Sequence, residues 1–200
     1  MNFSNLLKKY ESEKIKENEK KQFIKEINED IEFFKFAVKE DCMTLQFVEN
    51  QTDEICKLAV QQNGMAIQYV PNQTEEICEL AVQQYGLALK YVKNQTDEIC
   101  KLAVQQDGGV LQYVKNQTEE ICKLAVQQIG MALHYVKPEN QTYEICKLAV
   151  QQNGLALLYV EPKNKTDEIC KLAVQQNSCA LPYVENKTYE IRELADSDLE

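Results

Sequence analysis

The chain has a single histidine, His134, no C-x-x-C pair, and no apolar run approaching the roughly 18 residues of a membrane span. Each absence excludes something. His134 stands at a variable position, with no repeated Ser/His/Asp or paired-carboxylate arrangement around it in sequence. Catalysis needs dissimilar groups converging on one place, so an enzyme and a small-molecule substrate are disfavoured. Phosphate-cradling glycine loops are missing too, because Gly108-Gly109 falls in a turn between helices. Basic excess is also lacking: the formal charge is -10, which argues against direct binding to a nucleic-acid backbone. The N-terminal stretch has neither an apolar core nor a cleavage site of the secretory kind, which points to a cytoplasmic location.

What is present is repetition. The stretch Gln51–Asn72, QTDEICKLAVQQNGMAIQYVPN, recurs as Gln73–Asn94, Gln95–Asn116, Gln117–Asn140, Gln141–Asn164 and Lys165–Asn186. Its register extends back over Asn28–Asn50, and an eighth copy begins at Lys187. A period of about 22 residues marks an array in which each copy buries its apolar face against its neighbours.

Within one copy, Thr52 to Gln62 reads as a helix, with Ile55, Cys56, Leu58, Ala59 and Val60 on one broad band. Asn50 and Thr52 both fit as its N-cap, and Asp53 to Lys57 is spaced for an i,i+4 ion pair. Asn63-Gly64 predicts a left-handed C-cap. A shorter second helix follows over Met65–Val70, pairing Met65 with Tyr69 and Ala66 with Val70 and turning Gln68 outward. A leucine-rich repeat shares the period and would make Ala66–Val70 a strand. The lack of L-x-L alternation and the dominance of Ala, Leu, Glu, Gln and Lys favour helices.

The expected fold is therefore all-α: an α-solenoid of about seven helix-turn-helix repeats with N- and C-terminal capping helices. Residues 1–28 form a charged helical cap or leader, and residues 29–200 the solenoid with its terminal caps. Phe33, Phe34, Phe36 and Phe47 make the first copy atypical, as do Ser178 and Pro182 the last. Two copies carry two extra residues each, at Lys137-Pro138-Glu139-Asn140 and Glu161-Pro162-Lys163-Asn164, which predicts neighbouring bulges on one edge.

Six of the eight cysteines, Cys56, Cys78, Cys100, Cys122, Cys146 and Cys170, share one position. Packed helices lie about 8–10 Å apart, too far for a disulfide and badly aimed for a shared metal. They read as small buried hydrophobes in a reducing compartment, with no metal and no cofactor. The recurrent Asn-x-Thr, as at Asn50-Gln51-Thr52, reads as capping chemistry rather than glycosylation. The tyrosine column Tyr69, Tyr91, Tyr113, Tyr135, Tyr159 and Tyr183 reads as core with hydroxyls reaching water. The Gln61-Gln62 pairs read as a polar ladder.

Partner information must lie where the copies disagree. One such column precedes the glycine: Asn63, Tyr85, Asp107, Ile129, Asn153, Asn177. Another is the outward place on the second helix: Gln46, Gln68, Lys90, Gln112, His134, Leu158, Pro182. The candidate contact residues are Tyr85, Lys90, Asp107, Ile129, His134 and Leu158, for a protein partner that is basic or part of a nucleoprotein complex.

The unit resembles the short A-V-x-Q-N-G-x-A-L-x-Y-V helical repeats of uncharacterised proteins from giant viruses, protists and some bacteria. That resemblance spans about Asp30 to Val184, implies an all-helical array and brings no activity or site residues. The leading expectation is a non-enzymatic scaffold that binds a protein. The alternative, by analogy with viral and phage proteins, is an acidic inhibitor that blocks a host nucleic-acid-processing complex in the host cytoplasm. It would use Glu54, Glu76, Glu98, Glu120 and Glu144.

Overall fold

Each repeat folds because one residue both ends its first helix and starts its second. Thr52 caps α2 (Asp53–Gln62): its hydroxyl accepts from the Ile55 amide at 3.4 Å, which decides between the two candidate caps. At the other end Asn63 donates its amide to the Ala59 carbonyl at 3.0 Å, while its side chain accepts from the Met65 amide at 3.0 Å. The chain therefore reverses through an extended residue, with φ -149° and ψ 112°.

This corrects the expected left-handed cap, since no described residue, glycine included, has positive φ. The glycine serves close approach instead. A β-carbon on Gly86 would stand 2.8 Å from the Ala103 carbonyl oxygen, and one on Gly108 2.5 Å from that of Ala125. The first and last copies carry Cys42 and Ser178 at this place and do without it.

The second helix is a 3₁₀ helix, Gly64–Tyr69, rather than the α-helix with i,i+4 pairs read from sequence. Its bonds run over three residues, as in Ala66 N to Asn63 O at 2.9 Å and Val70 N to Ile67 O at 3.0 Å. In that geometry every third side chain eclipses. Gly64, Ile67 and Val70 make the buried line, Ala66 and Tyr69 a line running from buried to half-buried, and Met65 and Gln68 the outward line.

The computed structural model describes residues 31–196; the N-terminal cap expected over 1–28 lies outside them. The chain divides between Gln84 and Tyr85 into two compact bodies. The first holds α1 (Ile31–Glu40), the 3₁₀ helix Cys42–Phe47, α2, Gly64–Tyr69 and α3 (Glu75–Gln84). The second alternates the 3₁₀ helices Gly86–Tyr91, Gly108–Tyr113, Gly130–Tyr135, Gly154–Tyr159 and Ser178–Tyr183 with five α-helices. These are α4 (Asp97–Gln106), α5 (Glu119–Gln128), α6 (Tyr143–Gln152), α7 (Asp167–Gln176) and α8 (Tyr189–Asp196). No strand occurs among the described residues.

In each body successive α-helices pack on one another, successive 3₁₀ helices stack beside them, and the core lies between the two layers. Ile, Cys, Ala and Val of α2 to α7 meet Ala, Leu or Ile, and Val of the 3₁₀ layer there; Val110 takes the alanine's place at Gly108–Tyr113 and Thr44 at Cys42–Phe47, while α1 contributes Phe34, Ala37 and Val38 and α8 Ile191 and Ala195. Leu58 and its copies are only half-buried, and in the first copy Phe36 is exposed. The lengthened loops form single 3₁₀ turns, Pro138–Asn140 and Pro162–Asn164. Lys163 Nζ donates to the Pro138 carbonyl at 3.3 Å, so the two bulges touch.

The lysines join repeats rather than turns. Lys57 pairs with Glu76 of the next helix at 2.5 Å instead of with Asp53, and Lys35 likewise reaches Glu54 at 2.7 Å. In the second body Lys101–Glu120, Lys147–Glu168 and Lys171–Glu190 repeat the pattern. Lys123 turns back to Glu119 four residues earlier, and Lys35 also bonds Glu32 three residues earlier at 2.9 Å. A stacked neighbour brings a first-turn carboxylate across the seam, which an isolated helix cannot offer.

The cysteine column is buried and free, as is Cys42, whereas Cys179 is exposed. Burial pushes the thiols of Cys56, Cys100, Cys122 and Cys146 up to about 11 from an ordinary 9.0. A thiol raised in the folded state stabilises it fully below pH 9.0 and loses that contribution as pH climbs towards 11. Thermal melting should therefore hold level up to about pH 9 and fall steeply above it. Replacing these four cysteines by alanine should flatten the fall, and an unchanged profile would refute the cause. Below that range, a thiol-alkylating reagent on native protein should modify Cys179 alone, and all eight cysteines after denaturation, as counted by intact mass.

Candidate functional site

The repeat's first residue, unremarked in the sequence, ties the start of its copy to the end of that copy's 3₁₀ helix, and Gln51 also reaches back to the Leu45 carbonyl of the preceding copy at 3.0 Å. Gln141 is buried; its Nε2 donates to the Tyr159 carbonyl at 3.0 Å, and its Oε1 accepts from the Glu161 amide at 2.9 Å. Gln95 does the same to Tyr113 and Lys115, and Gln117 to Tyr135 and Lys137. The same oxygens accept weak bonds from the cysteine thiols, as at Cys146 over 3.8 Å. The second residue of each Gln-Gln pair supplies the expected ladder. Gln152 donates to the Gln128 carbonyl at 3.1 Å and accepts from the Gly130 amide at 2.6 Å.

With the backbone so held, the 3₁₀ layer of the second body presents its outward line and the tyrosines as one face. In two copies the outward residue lies against its own tyrosine and the next. The Lys90 ammonium is 5.6 Å from the Tyr91 ring centroid and 5.9 Å from that of Tyr113. The His134 ring is 5.1 Å from Tyr135 and 4.5 Å from Tyr159. The tyrosines are half-buried, and Tyr135 is exposed.

On this face lies a surface pocket of about 310 Å³, lined by Gly109, Ile129, Met131, Ala132, His134, Tyr135 and Tyr159. Its opening has a simple cause. Gly109 stands where other copies carry Met65, Leu87, Met131 or Leu155, so the side chain that would fill the place is missing.

The column before the glycine proves to be a capping column. Asn63, Asn153 and Asn177 accept from the amide two residues on, and Asp107 does so from Gly109 at 2.8 Å. Tyr85 and Ile129 make no such bond; they are 46% and 40% exposed, so these two copies carry an apolar surface group in place of a cap. Substituting a capping side chain by an apolar one costs about 0.5–2 kcal/mol.

Of the six sequence candidates, the pocket unites Ile129 and His134, and Asp107 adjoins it through Gly109. Tyr85, Lys90 and Leu158 lie on exposed positions of the same body outside its lining. Sequence reasoning missed Gly109, Met131, Ala132, Tyr135 and Tyr159. The departure of Gly109 from its Met/Leu column was the available signal. Among the described residues no group of His, Cys, Asp and Glu could hold a metal ion, and no helix is long and apolar enough to cross a membrane.

These features define an all-α helical-repeat protein with an aromatic, pocketed outer face. The chain belongs to the family described as "Domain of unknown function (DUF4116)", whose model matches residues 30–74, 52–96, 74–118, 118–165 and 142–188. Each match takes in about two repeats, so the family is built on the same short unit. Comparison with curated proteins and with solved structures gave no match.

Proposed function

We propose that the chain is a non-enzymatic, cytoplasmic scaffold that binds a protein partner through the outer face of its 3₁₀ layer, anchored at the Ile129–His134 pocket. One observation carries this reading: three places where a copy departs from its sisters, Gly109, Ile129 and His134, line a single pocket although they come from two repeats. Changes scattered by drift have no reason to converge, whereas a contact site is built from departures that meet.

The acidic-inhibitor reading that the resemblance to viral repeats suggests finds less support. Glu54, Glu76 and Glu120 are each paired with a lysine of the preceding helix, so their charge is partly neutralised where a phosphate mimic would need it.

The test restores the consensus. Gly109→Met, Ile129→Asn and His134→Gln put back residues that sister copies carry, and Ile129→Asn supplies the missing cap, worth roughly 0.5–1 kcal/mol. The triple variant should melt no lower than wild type yet lose the protein that wild type retains in affinity capture from the producing cells. Equal retention by both would remove the pocket from the interface.

A further inference from the structure

Four observations on the second body bear on what enters the pocket. Its walls include the rings of Tyr135, Tyr159 and His134, with the polarizable Met131 beside them. The Asp107 carboxylate stands at its edge: Oδ1 accepts from the Gly109 amide at 2.8 Å, and Oδ2 is engaged by no hydrogen bond or ion pair among the described residues. A β-carbon on Gly109 would sit 3.1 Å from Oδ1, so the carboxylate borders the space the missing side chain leaves. Finally, two repeats earlier the chain itself sets a cation against such a tyrosine pair, because Lys90, in the column of His134, lies over Tyr91 and Tyr113.

We infer that the pocket receives a basic side chain, lysine or arginine, from the protein partner. The aliphatic stem lies along Ile129 and Met131, and the charged head meets the tyrosine faces and Asp107. An electron-rich ring face attracts a cation, and a carboxylate beside it adds direct Coulomb attraction. The net charge of -10 favours approach of a basic partner from a distance. The partner class is thus a protein with an exposed lysine or arginine flanked by residues that tolerate an aromatic surface. This inference rests on the scaffold reading and narrows it to one chemistry.

Single-residue probes separate the two. Nα-acetyl-lysine amide, Nα-acetyl-arginine amide and the uncharged Nα-acetyl-norleucine amide would be titrated into isotope-labelled full-length protein and followed by NMR. The basic probes should give saturable shifts at Gly109, Met131, His134 and Tyr135, and the norleucine probe at least about fivefold weaker ones. Asp107→Asn keeps a capping side chain, as Asn63 and Asn153 show, but removes the charge. It should weaken the basic probes by roughly fivefold while leaving helicity unchanged.

Equal response to norleucine, or no loss in Asp107→Asn, would overturn the cationic assignment. If the consensus-restoring triple variant still loses the captured protein, that result leaves the scaffold reading standing. Absence of saturable shifts with either basic probe would likewise overturn the inference.

Discussion

Gln141→Ala should lower stability by about 2–5 kcal/mol, because the change strips two backbone groups of their partners at once. The Tyr159 carbonyl and the Glu161 amide lie at the far end of the same copy, and both bond the Gln141 side chain, which is only 6% exposed. An unsatisfied buried amide or carbonyl costs about 1–3 kcal/mol each, more than the bond was worth when made. For a chain of this size that corresponds to a fall in Tm of roughly 4–20 °C. Exchange of the Glu161 amide with solvent should accelerate alongside. The control is Gln151→Ala in α6: this exposed glutamine should cost under about 0.5 kcal/mol. Equal losses at the two positions would show that burial and backbone pairing do not set the effect.

Gly154→Ala should cost about 2–3 kcal/mol, whereas Gly109→Ala should be neutral or slightly stabilising. An added β-carbon at Gly154 would collide with the Ala173 carbonyl oxygen and stand 3.0 Å from Gln176 Oε1. The first of these atoms belongs to the backbone of α7, so relief requires the helices to separate and gives up the bond from the Gly154 amide to Gln176. At Gly109 the nearest atom is the Asp107 carboxylate oxygen at 3.1 Å, a side-chain atom that can swing aside. Reduced freedom of the unfolded chain then contributes up to about 1 kcal/mol in favour of alanine. Gly154→Asn sharpens the comparison. A left-handed cap would tolerate asparagine, and a close helix approach does not. Melting of the three variants therefore distinguishes the two roles, and stability retained in Gly154→Asn would restore the left-handed reading.

The two predictions mark where sequence reasoning stopped. The helices were legible because Ile55, Cys56, Ala59 and Val60 recur at helical spacing, and because Thr52 and Asn63 are residues that suit helix ends. Burial of these four followed from that period, which also put Leu58 in the band although it is only half-buried. What an Asn-Gly pair does was not legible, since the same two letters serve a left-handed cap or an extended corner. The choice depends on how near the next helix lies. Gln51 and its copies went unremarked because their partners sit 18 and 20 residues away, at the far end of the copy, which only the folding of its two helices brings close. Lys57 was read against Asp53 for a like reason, its partner Glu76 lying on the next copy.

The candidate site divides in the same way. Comparing copies found Ile129 and His134, because a departure from a repeated column is visible in one sequence. It could not show that they share a pocket with Gly109, Tyr135 and Tyr159, nor that Asp107 caps a 3₁₀ turn at its edge. The amino-acid order by itself determined the all-helical repeat, its period and the thiol column, since these depend on neighbours within one copy. Only the tertiary structure decided the 3₁₀ form of the second helix, the glutamine bonds, the inter-repeat ion pairs and the pocket. All of these depend on how closely segments distant in the chain, within a copy and between copies, approach one another.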